Sequence, residues 1–234
     1  MKMIHQLAMA LSFFVFSPAL CNGGVITTPT DLAPGAKYYL IFITGTGNDL
    51  TGQSSNISDY DAFVTSQALQ NSELSGITWK ALGSTSTVSA RDHLNIGDFP
   101  IYRLDNVRIA NNATDLWDGS IATTGMTHQG GGILPNSFVW TGSNSDGTTS
   151  SYYLGSATPV LGFTQYSDSN WINHRHDFPS SSSHRMLAVS QLLTVGGSGP
   201  AVPEPATITF WSLTTSFGLL LRKRRFQSKR SSLS

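Results

Sequence analysis

Three histidines lie close together near the C-terminal third of the chain and are the first residues that suggest chemistry. His174 and His176 flank Arg175, and His184 follows a serine-rich stretch. On a β-strand, His174 and His176 would point to the same face, because side chains two apart in a strand share a face. Three neutral imidazoles can hold zinc in an open catalytic site. The serine-rich sequence favours an exposed loop, in which the histidines would bind no metal.

Hard oxygen ligands form a second group. Asn144 and Asp146 stand in the sequence Asn-Ser-Asp-Gly, and Asp118 stands in Trp-Asp-Gly-Ser. Carboxylate and amide oxygens of this kind are the ligands that calcium prefers in proteins. The same sequences are typical of ordinary turns, because Asn and Asp side chains hydrogen-bond to the backbone nearby. A structural turn is therefore expected at these residues, calcium binding is the alternative, and no other cofactor is expected.

Aromatic side chains offer a third kind of chemistry, the stacking of flat rings against a ligand. Trp171, Tyr152 and Tyr153 lie in loop-like sequence and are predicted to be exposed, so they are the candidate ligand-binding residues. Trp117 and Trp140 are expected in the core, because burial alone explains most large aromatic side chains. The aromatic residues therefore favour a binding surface over a catalytic one.

Sequence signals of catalysis are few. The chain contains no Gly-x-Ser-x-Gly nucleophile motif. Glu73 is the only glutamate between positions 25 and 200, and nothing marks the paired carboxylates that glycosidases use. Asp59 and Asp61 stand near a predicted helix start, where they stabilise the helix dipole. We therefore predict that the protein is not an enzyme. A secreted hydrolase ranks third, after a binding protein and a structural matrix component.

Short strands and one early helix are expected to carry these residues. A helix is predicted from about Asp59, with Ser58 as its cap, and Gly76 ends that segment. An Asp105-Asn106 turn predicts a hairpin. Segments rich in β-branched and aromatic residues predict strands at 37–44, 77–82, 100–105, 107–109, 137–141 and 186–195. One helix, several strands and long loops indicate the α+β class.

The charge of the central segment excludes one class of partner. Between positions 25 and 200 the chain has 7 lysines and arginines against 13 aspartates and glutamates, a net charge of −6. Domains that bind nucleic acid need a basic surface. No nucleic acid is therefore expected as a partner.

The N-terminal end predicts export. Residues 1–21 place Lys2 before an apolar run from 7 to 20, with small residues after it, as in a secretory signal peptide. The run is too short for an ordinary membrane span. Cleavage after Cys21 would leave the mature protein without cysteine and hence without disulfides. Lipid modification of Cys21 is the alternative, although Leu20 in front of it fits a lipoprotein signal poorly.

The C-terminal end carries three features in a fixed order. A glycine-rich linker, 196–202, is followed by Pro203, Glu204 and Pro205, by an uncharged segment at 206–221, and by a basic cluster of Arg222, Lys223, Arg224 and Arg225. As a helix, the uncharged segment would span roughly 24 Å, so it predicts a transmembrane helix in a locally thinned bilayer. The basic cluster and the tail at 226–234 would stay cytoplasmic.

This order resembles the PEP-CTERM sorting signal of bacteria. The resemblance implies anchoring in the inner membrane, followed by processing near Pro-Glu-Pro by an exosortase-type enzyme. It also implies association with exopolysaccharide in the cell envelope or extracellular matrix. A plain C-terminal membrane anchor is the alternative.

Five segments of the region 25–195 carry a second resemblance. In order they are Asp-Ala-Phe-Val at 61–64, Thr-Trp-Lys-Ala-Leu at 78–82, Pro-Ile-Tyr-Arg-Leu at 100–104, Leu-Trp-Asp-Gly-Ser at 116–120 and Val-Trp-Thr-Gly-Ser-Asn-Ser-Asp-Gly at 139–147. Their order resembles the endostatin-like branch of the C-type-lectin-like fold. The chain lacks the disulfide cysteines of that fold and the Glu-Pro-Asn or Gln-Pro-Asp tripeptide that coordinates sugars. A β-sandwich is the alternative fold.

Together these features predict an exported cell-surface protein with one lectin-like domain. The predicted function is non-catalytic binding of polysaccharide or of another envelope protein. A structural matrix component without a defined ligand is the alternative.

Overall fold

The computed structural model describes residues 24–45, 47 and 49–196. The chain divides into two units, 1–195 and 196–234, and the described residues belong almost entirely to the first. The helices are α1 Ile57–Ala68, α2 Ala90–Leu94 and α3 Ala113–Leu116, with 3₁₀ turns at Ser72–Leu74 and Ser169–Trp171. The strands are β1 Lys37–Ile43, β2 Leu50–Thr51, β3 Trp79–Ala81, β4 Ile101–Arg103, β5 Arg108–Ala110, β6 Met126–Thr127, β7 Ile133–Leu134, β8 Phe138–Trp140, β9 Leu161–Phe163, β10 Ser183–Ser190 and β11 Leu193–Thr194.

One mixed sheet of nine strands organises the domain. Six strands follow the order β5-β4-β1-β10-β8-β9, while β11 pairs with β1, and β2 and β3 pair with β10. The first and last long strands are neighbours, because Ile41 of β1 faces Val189 of β10 in an antiparallel pair. β6 and β7 form a separate two-stranded sheet. This sheet-dominated architecture with few helices confirms the predicted α+β class.

Both faces of β1 are buried, which explains the apolar run that predicted this strand. Alternate side chains enter two hydrophobic clusters, with Tyr39, Ile41 and Ile43 in one and Tyr38, Leu40 and Phe42 in the other. Helix α1 contributes Tyr60 and Val64 to the second cluster. A strand with one face in solvent alternates polar and apolar residues. A strand buried on both faces, like β1, is apolar throughout.

The cap of α1 differs from the predicted one. The Oδ1 atom of Asn56 accepts a hydrogen bond from the Ser58 backbone N–H at 3.2 Å, so Asn56 caps the helix and Ser58 lies inside it. Asn and Ser are about equally good caps. The prediction of Ser58 as the cap was wrong because the chain adopts an extended conformation at Asn56, two residues earlier. Asp59 lies in the first turn as expected.

A buried arginine holds the β4–β5 hairpin against a neighbouring loop. Arg103 binds Asp105 in a bidentate pair, with its Nε and Nη2 atoms at 3.0 and 2.5 Å from the two carboxylate oxygens. Its Nη1 atom donates to the carbonyl oxygens of Thr124 and Gly125, each at 2.9 Å. The Arg103 side chain is only 6% exposed. These hydrogen bonds therefore compensate the Arg103 guanidinium for the hydration that it loses on burial.

Removal of the acidic partner of Arg103 is expected to destabilise the fold. In Asp105→Ala the buried guanidinium loses its counter-charge, and we expect the free energy of unfolding to fall by about 3 kcal/mol. Urea denaturation measures this change. The matched control is Asp177→Ala, which breaks an arginine–aspartate pair with the same sequence spacing at an exposed position. Equal loss in the two variants would contradict the role assigned to burial.

Candidate functional site

Half-buried aromatic rings gather where β8 and β9 form the edge of the sheet. We call this surface the aromatic edge; it consists of Phe138, Phe163, Tyr166, His174 and Phe178. Phe138 and Phe163 face each other across the antiparallel pair of β8 and β9, and their rings stack with centroids 4.5 Å apart. The His174 ring lies 5.7 Å from that of Phe163 and 5.2 Å from that of Tyr166. Tyr166 is 37% exposed and presents the edge to solvent.

A guanidinium group lies over the aromatic edge. Arg175 stands 5.7 Å from the ring centre of Phe138 and 5.1 Å from that of Phe178, which are cation–π distances. The same group forms a bidentate pair with Asp177. The hydrogen bond from Arg175 lowers the pKa of the Asp177 carboxyl, so this carboxylate stays ionised and offsets the charge of Arg175. The surface therefore combines apolar rings with a locally neutral ion pair.

An exposed stacked pair lies next to this surface. The Tyr152 and His176 rings are stacked and nearly parallel, with centroids 3.6 Å apart and an interplanar angle of 9°. Tyr152 is 41% exposed, so its ring is available to a ligand while His176 supports it. The Val160 N–H donates to the Tyr152 carbonyl at 2.7 Å, and the Leu161 N–H donates to the Arg175 carbonyl at 2.7 Å. These two backbone hydrogen bonds place the Tyr152–His176 pair beside Arg175 and thus beside the aromatic edge.

The predicted exposure of the candidate ligand-binding aromatics is only partly correct. Tyr152 is exposed as predicted, and Tyr153 is half-buried. The prediction for Trp171 was wrong, because this residue ends a 3₁₀ turn that packs into the core and is 1% exposed. Trp117 and Trp140 are buried as expected. Among the three predicted residues, Tyr152 is therefore the one that a ligand can reach most fully.

The three histidines do not act as one group. His174 and His176 lie outside the strands, as the loop interpretation predicted, whereas His184 lies in β10. His174 packs in the aromatic edge, His176 stacks on Tyr152, and His184 packs edge-on against Trp140 at 4.8 Å. Within residues 24–45, 47 and 49–196, no group of three or more His, Cys, Asp or Glu side chains is placed to hold a metal.

The candidate calcium ligands lie in two adjoining turns. Asp146 Oδ1 accepts hydrogen bonds from the N–H and hydroxyl of Thr148, and these bonds lower the pKa of its carboxyl. Asp118 Oδ1 accepts two hydrogen bonds from Ser120 at 2.8 Å. The amide of Asn144 donates to the side chain of Thr148 at 3.0 Å. One carboxylate oxygen of Asp146, one of Asp118 and the amide nitrogen of Asn144 thus stabilise these turns. Calcium binding at these residues stays a prediction.

Sequence reasoning missed the aromatic edge because it missed strand β9. This strand has a glycine, Gly162, at its centre, and glycine usually argues against a strand. A Cβ at this position would lie 2.2 Å from the carbonyl oxygen of Trp171 and 2.9 Å from the Cα of Ile172. The close approach of another backbone therefore requires glycine here. Phe138 could have indicated part of this surface. It lies two residues before Trp140 in a predicted strand, and side chains two apart in a strand share a face.

The comparisons with known proteins do not identify a family. No protein-family model matches the sequence, and no curated protein matches it. In the part of the chain that the structure describes, no helix is long and apolar enough to cross a membrane. The predicted signal peptide at 1–21, sorting motif at 203–205, transmembrane helix at 206–221, basic cluster at 222–225 and tail at 226–234 lie outside the described residues.

One histidine next to the aromatic edge, His184, is packed among the rings of Phe138, Trp140 and Phe178. Burial lowers the pKa of His184, Arg185 lowers it further, and Asp49 opposes them. The Nε2 atom of His184 has no hydrogen-bond partner among the described residues. Burial also lowers the pKa of His128, whose Nδ1 accepts from the Gly130 N–H at 3.0 Å. Protonation of either side chain is therefore less favourable in the folded state than in the unfolded state.

Folding stability is expected to fall as the pH drops below about 6.5, the ordinary pKa of histidine. In that window the unfolded chain binds protons at His184 and His128 more readily than the folded chain does, until the lowered folded-state pKa values are reached. The double variant His184→Phe/His128→Asn should weaken this dependence. Urea denaturation at about pH 7.5 and about pH 5.5 measures it, because aspartates stay ionised at both values. An identical loss of stability in the variant and the parent would contradict this account.

Proposed function

We propose that this chain is an exported cell-envelope protein whose domain binds polysaccharide without catalysis, through Tyr152 and the aromatic edge. The observation that carries the proposal is the exposed Tyr152 ring, held flat against His176 at 3.6 Å. A flat ring with one supported face can stack on the C–H face of a sugar ring. Support by His176 also lowers the entropy cost of ordering Tyr152 on binding.

The electrostatics of this surface favour a neutral or weakly charged polymer. Arg175 is paired with Asp177, so the site presents little uncompensated positive charge. The domain around it carries a net charge of −6 between positions 25 and 200. A strongly anionic polymer would be repelled by this excess of carboxylates. A protein of the envelope is the alternative partner, and the binding experiment below distinguishes the two.

We also propose the C-type-lectin-like, endostatin-like fold for the domain. Two features support it: the pairing of β1 with β10 and β11, which joins the two ends of the domain, and the helix α1 that follows the first long strand. A single nine-stranded sheet with apolar clusters on both faces of β1 is less consistent with the β-sandwich alternative.

Retention on polysaccharide tests the proposed site. The full-length protein is passed over immobilised exopolysaccharide of the producing bacterium, and Tyr152→Ala is expected to weaken binding roughly tenfold through loss of stacking. Tyr152→Phe keeps the ring and should bind nearly as well as the parent. Leu69→Ala, which removes another exposed apolar side chain, is the matched control. Equal retention of Tyr152→Ala and the parent would exclude this site, and no retention of the parent would favour a protein partner or a structural role.

The same column with a calcium chelator tests the predicted calcium ligands. Stacking on Tyr152 requires no metal, so chelation should leave retention unchanged. Loss of retention on chelation would instead assign the binding to calcium at Asn144, Asp146 and Asp118.

The sorting proposal concerns the tail and has its own test. We propose that an exosortase-type enzyme processes the chain near Pro203, Glu204 and Pro205, after the segment 206–221 has anchored it in the inner membrane. Replacement of these three residues by alanine should leave the protein in the membrane fraction, as followed by immunoblotting of fractionated cells. Normal release of the triple variant would favour a plain anchor that some other cleavage removes.

A further inference from the structure

A groove of about 600 Å³ lies between α2 and α3, apart from the residues of the aromatic edge. This volume is within the roughly 300–1,000 Å³ typical of ligand pockets in proteins. Its lining is of two kinds, apolar at Ile96, Ala113 and Trp117, and polar at Arg91, Asp92, Asn95, Thr114 and Asp118. A mixture of this kind fits a ligand that has both an apolar face and polar groups.

Capped helix ends fix the walls of the groove. Ser89 caps α2 through its side-chain oxygen, which accepts a backbone N–H of the helix at 3.1 Å. Asn95 ends α2 in the left-handed conformation, with φ of 46° and ψ of 47°. Asn112 caps α3 in the same way, because its Oδ1 atom accepts a hydrogen bond from the Asp115 backbone N–H at 2.9 Å. The Ala113 N–H donates to the Gly97 carbonyl at 3.2 Å and ties the two elements together.

The indole of Trp117 contributes to the apolar lining and is itself held in place. Gly147 packs against its six-membered ring, since a Cβ on Gly147 would lie 2.7 Å from the ring atom Cε3. The Arg91 N–H donates to the Gly147 carbonyl at 3.0 Å and fixes this contact. Trp117 is 6% exposed, and what remains accessible of it lines the groove. The ring is thus positioned before any ligand arrives.

The polar side chains of the groove keep hydrogen-bonding capacity. The Arg91 guanidinium and the Asn95 amide form no side-chain hydrogen bond with any described residue, and Asp118 uses only Oδ1 in its own turn. Arg91 offers only donors, the free Asp118 oxygen is only an acceptor, and the Asn95 amide is both. A ligand hydroxyl, which donates and accepts, matches this set. The groove also contains the Asp92 carboxylate, so an anion would meet two carboxylates and a cation would meet the Arg91 guanidinium. A neutral ligand with several hydroxyl groups can hydrogen-bond to these groups without either repulsion.

We propose that the α2–α3 groove is a second binding site, which takes one or two rings of a neutral saccharide. The apolar lining accepts the C–H face of a ring, while Arg91, Asn95 and Asp118 bind its hydroxyls. This inference goes beyond the Tyr152 surface and does not depend on it, because the two sites share no residue. Two saccharide sites on one domain would also let a single molecule hold two polysaccharide chains together.

Titration with neutral disaccharides tests the groove. The full-length protein is titrated with cellobiose, maltose, lactose and di-N-acetylchitobiose by calorimetry, and the Trp117 indole N–H is followed by NMR, assigned through Trp117→Phe. At least one disaccharide should bind and shift that signal. Asp118→Asn keeps an oxygen for the Ser120 turn but loses the charge, and should weaken binding roughly tenfold, as should Arg91→Met.

Controls separate this site from the Tyr152 surface. The exposed-leucine variant Leu69→Ala and the exposed-carboxylate variant Glu73→Gln should bind the disaccharide like the parent. Loss of binding in Tyr152→Ala with full binding in Asp118→Asn and Arg91→Met would overturn the groove and leave the Tyr152 proposal intact. Binding of none of the four disaccharides, or tighter binding of a uronic-acid disaccharide than of all of them, would also overturn it. The thermal midpoint of each variant shows whether it is folded.

Discussion

The pairing of β1 with β10 is the constraint on which the rest of the domain depends. It joins segments about 145 residues apart in the chain, and the Leu40 N–H is also satisfied by the Ser190 hydroxyl, with a sequence separation of 150. Such a contact forms only after a long loop is closed, which costs conformational entropy. Burial of both faces of β1 offsets that cost. Because the two long strands occupy the centre of the sheet, the connections between them carry both proposed sites.

The two proposed sites use different physical means to hold an aromatic ring in place. At Tyr152 a second ring, His176, covers one face and leaves the other accessible. At Trp117 a glycine packs against the indole, and the ring is largely buried. The first arrangement suits a polymer that slides over a surface, and the second suits a short saccharide or a chain end that enters a groove. In both arrangements the aromatic side chain is ordered before binding, so less conformational entropy is lost when a ligand binds.

Two arginine–aspartate pairs with the same spacing show how environment sets the role of a motif. Arg103 and Asp105 are mostly buried, and the arginine also binds two backbone carbonyls, so the pair joins a hairpin to a loop. Arg175 and Asp177 are partly exposed, at 40% and 57% of their side-chain surface, and the arginine lies over aromatic rings instead. The shared Arg-x-Asp sequence does not distinguish them. The two pairs differ in how far neighbouring groups exclude water from them. Water screens the exposed pair and weakens its attraction, whereas the buried pair is screened much less.

The sequence by itself determined the elements whose signal is local. The apolar run of β1, the aromatic run that contains β8 and the Asp105-Asn106 turn between β4 and β5 were all predicted, because composition and turn chemistry act over a few residues. Asn106 indeed has a positive φ of 69°. The burial of Trp117 and Trp140 was also predicted, from the general tendency of large aromatic side chains to be buried. The candidate site was predicted only in part, through Tyr152.

Tertiary structure decided the features that depend on distant neighbours. Trp171 was predicted to be exposed because it lies in loop-like sequence. The backbone around it instead packs against Gly162, and the ring is buried in the core. The stacking of His176 on Tyr152 joins residues 24 positions apart, and the α2–α3 groove needs two helices and a turn at 147 to meet. Local patterns cannot encode such contacts, because burial is a property of the whole packed chain rather than of a segment.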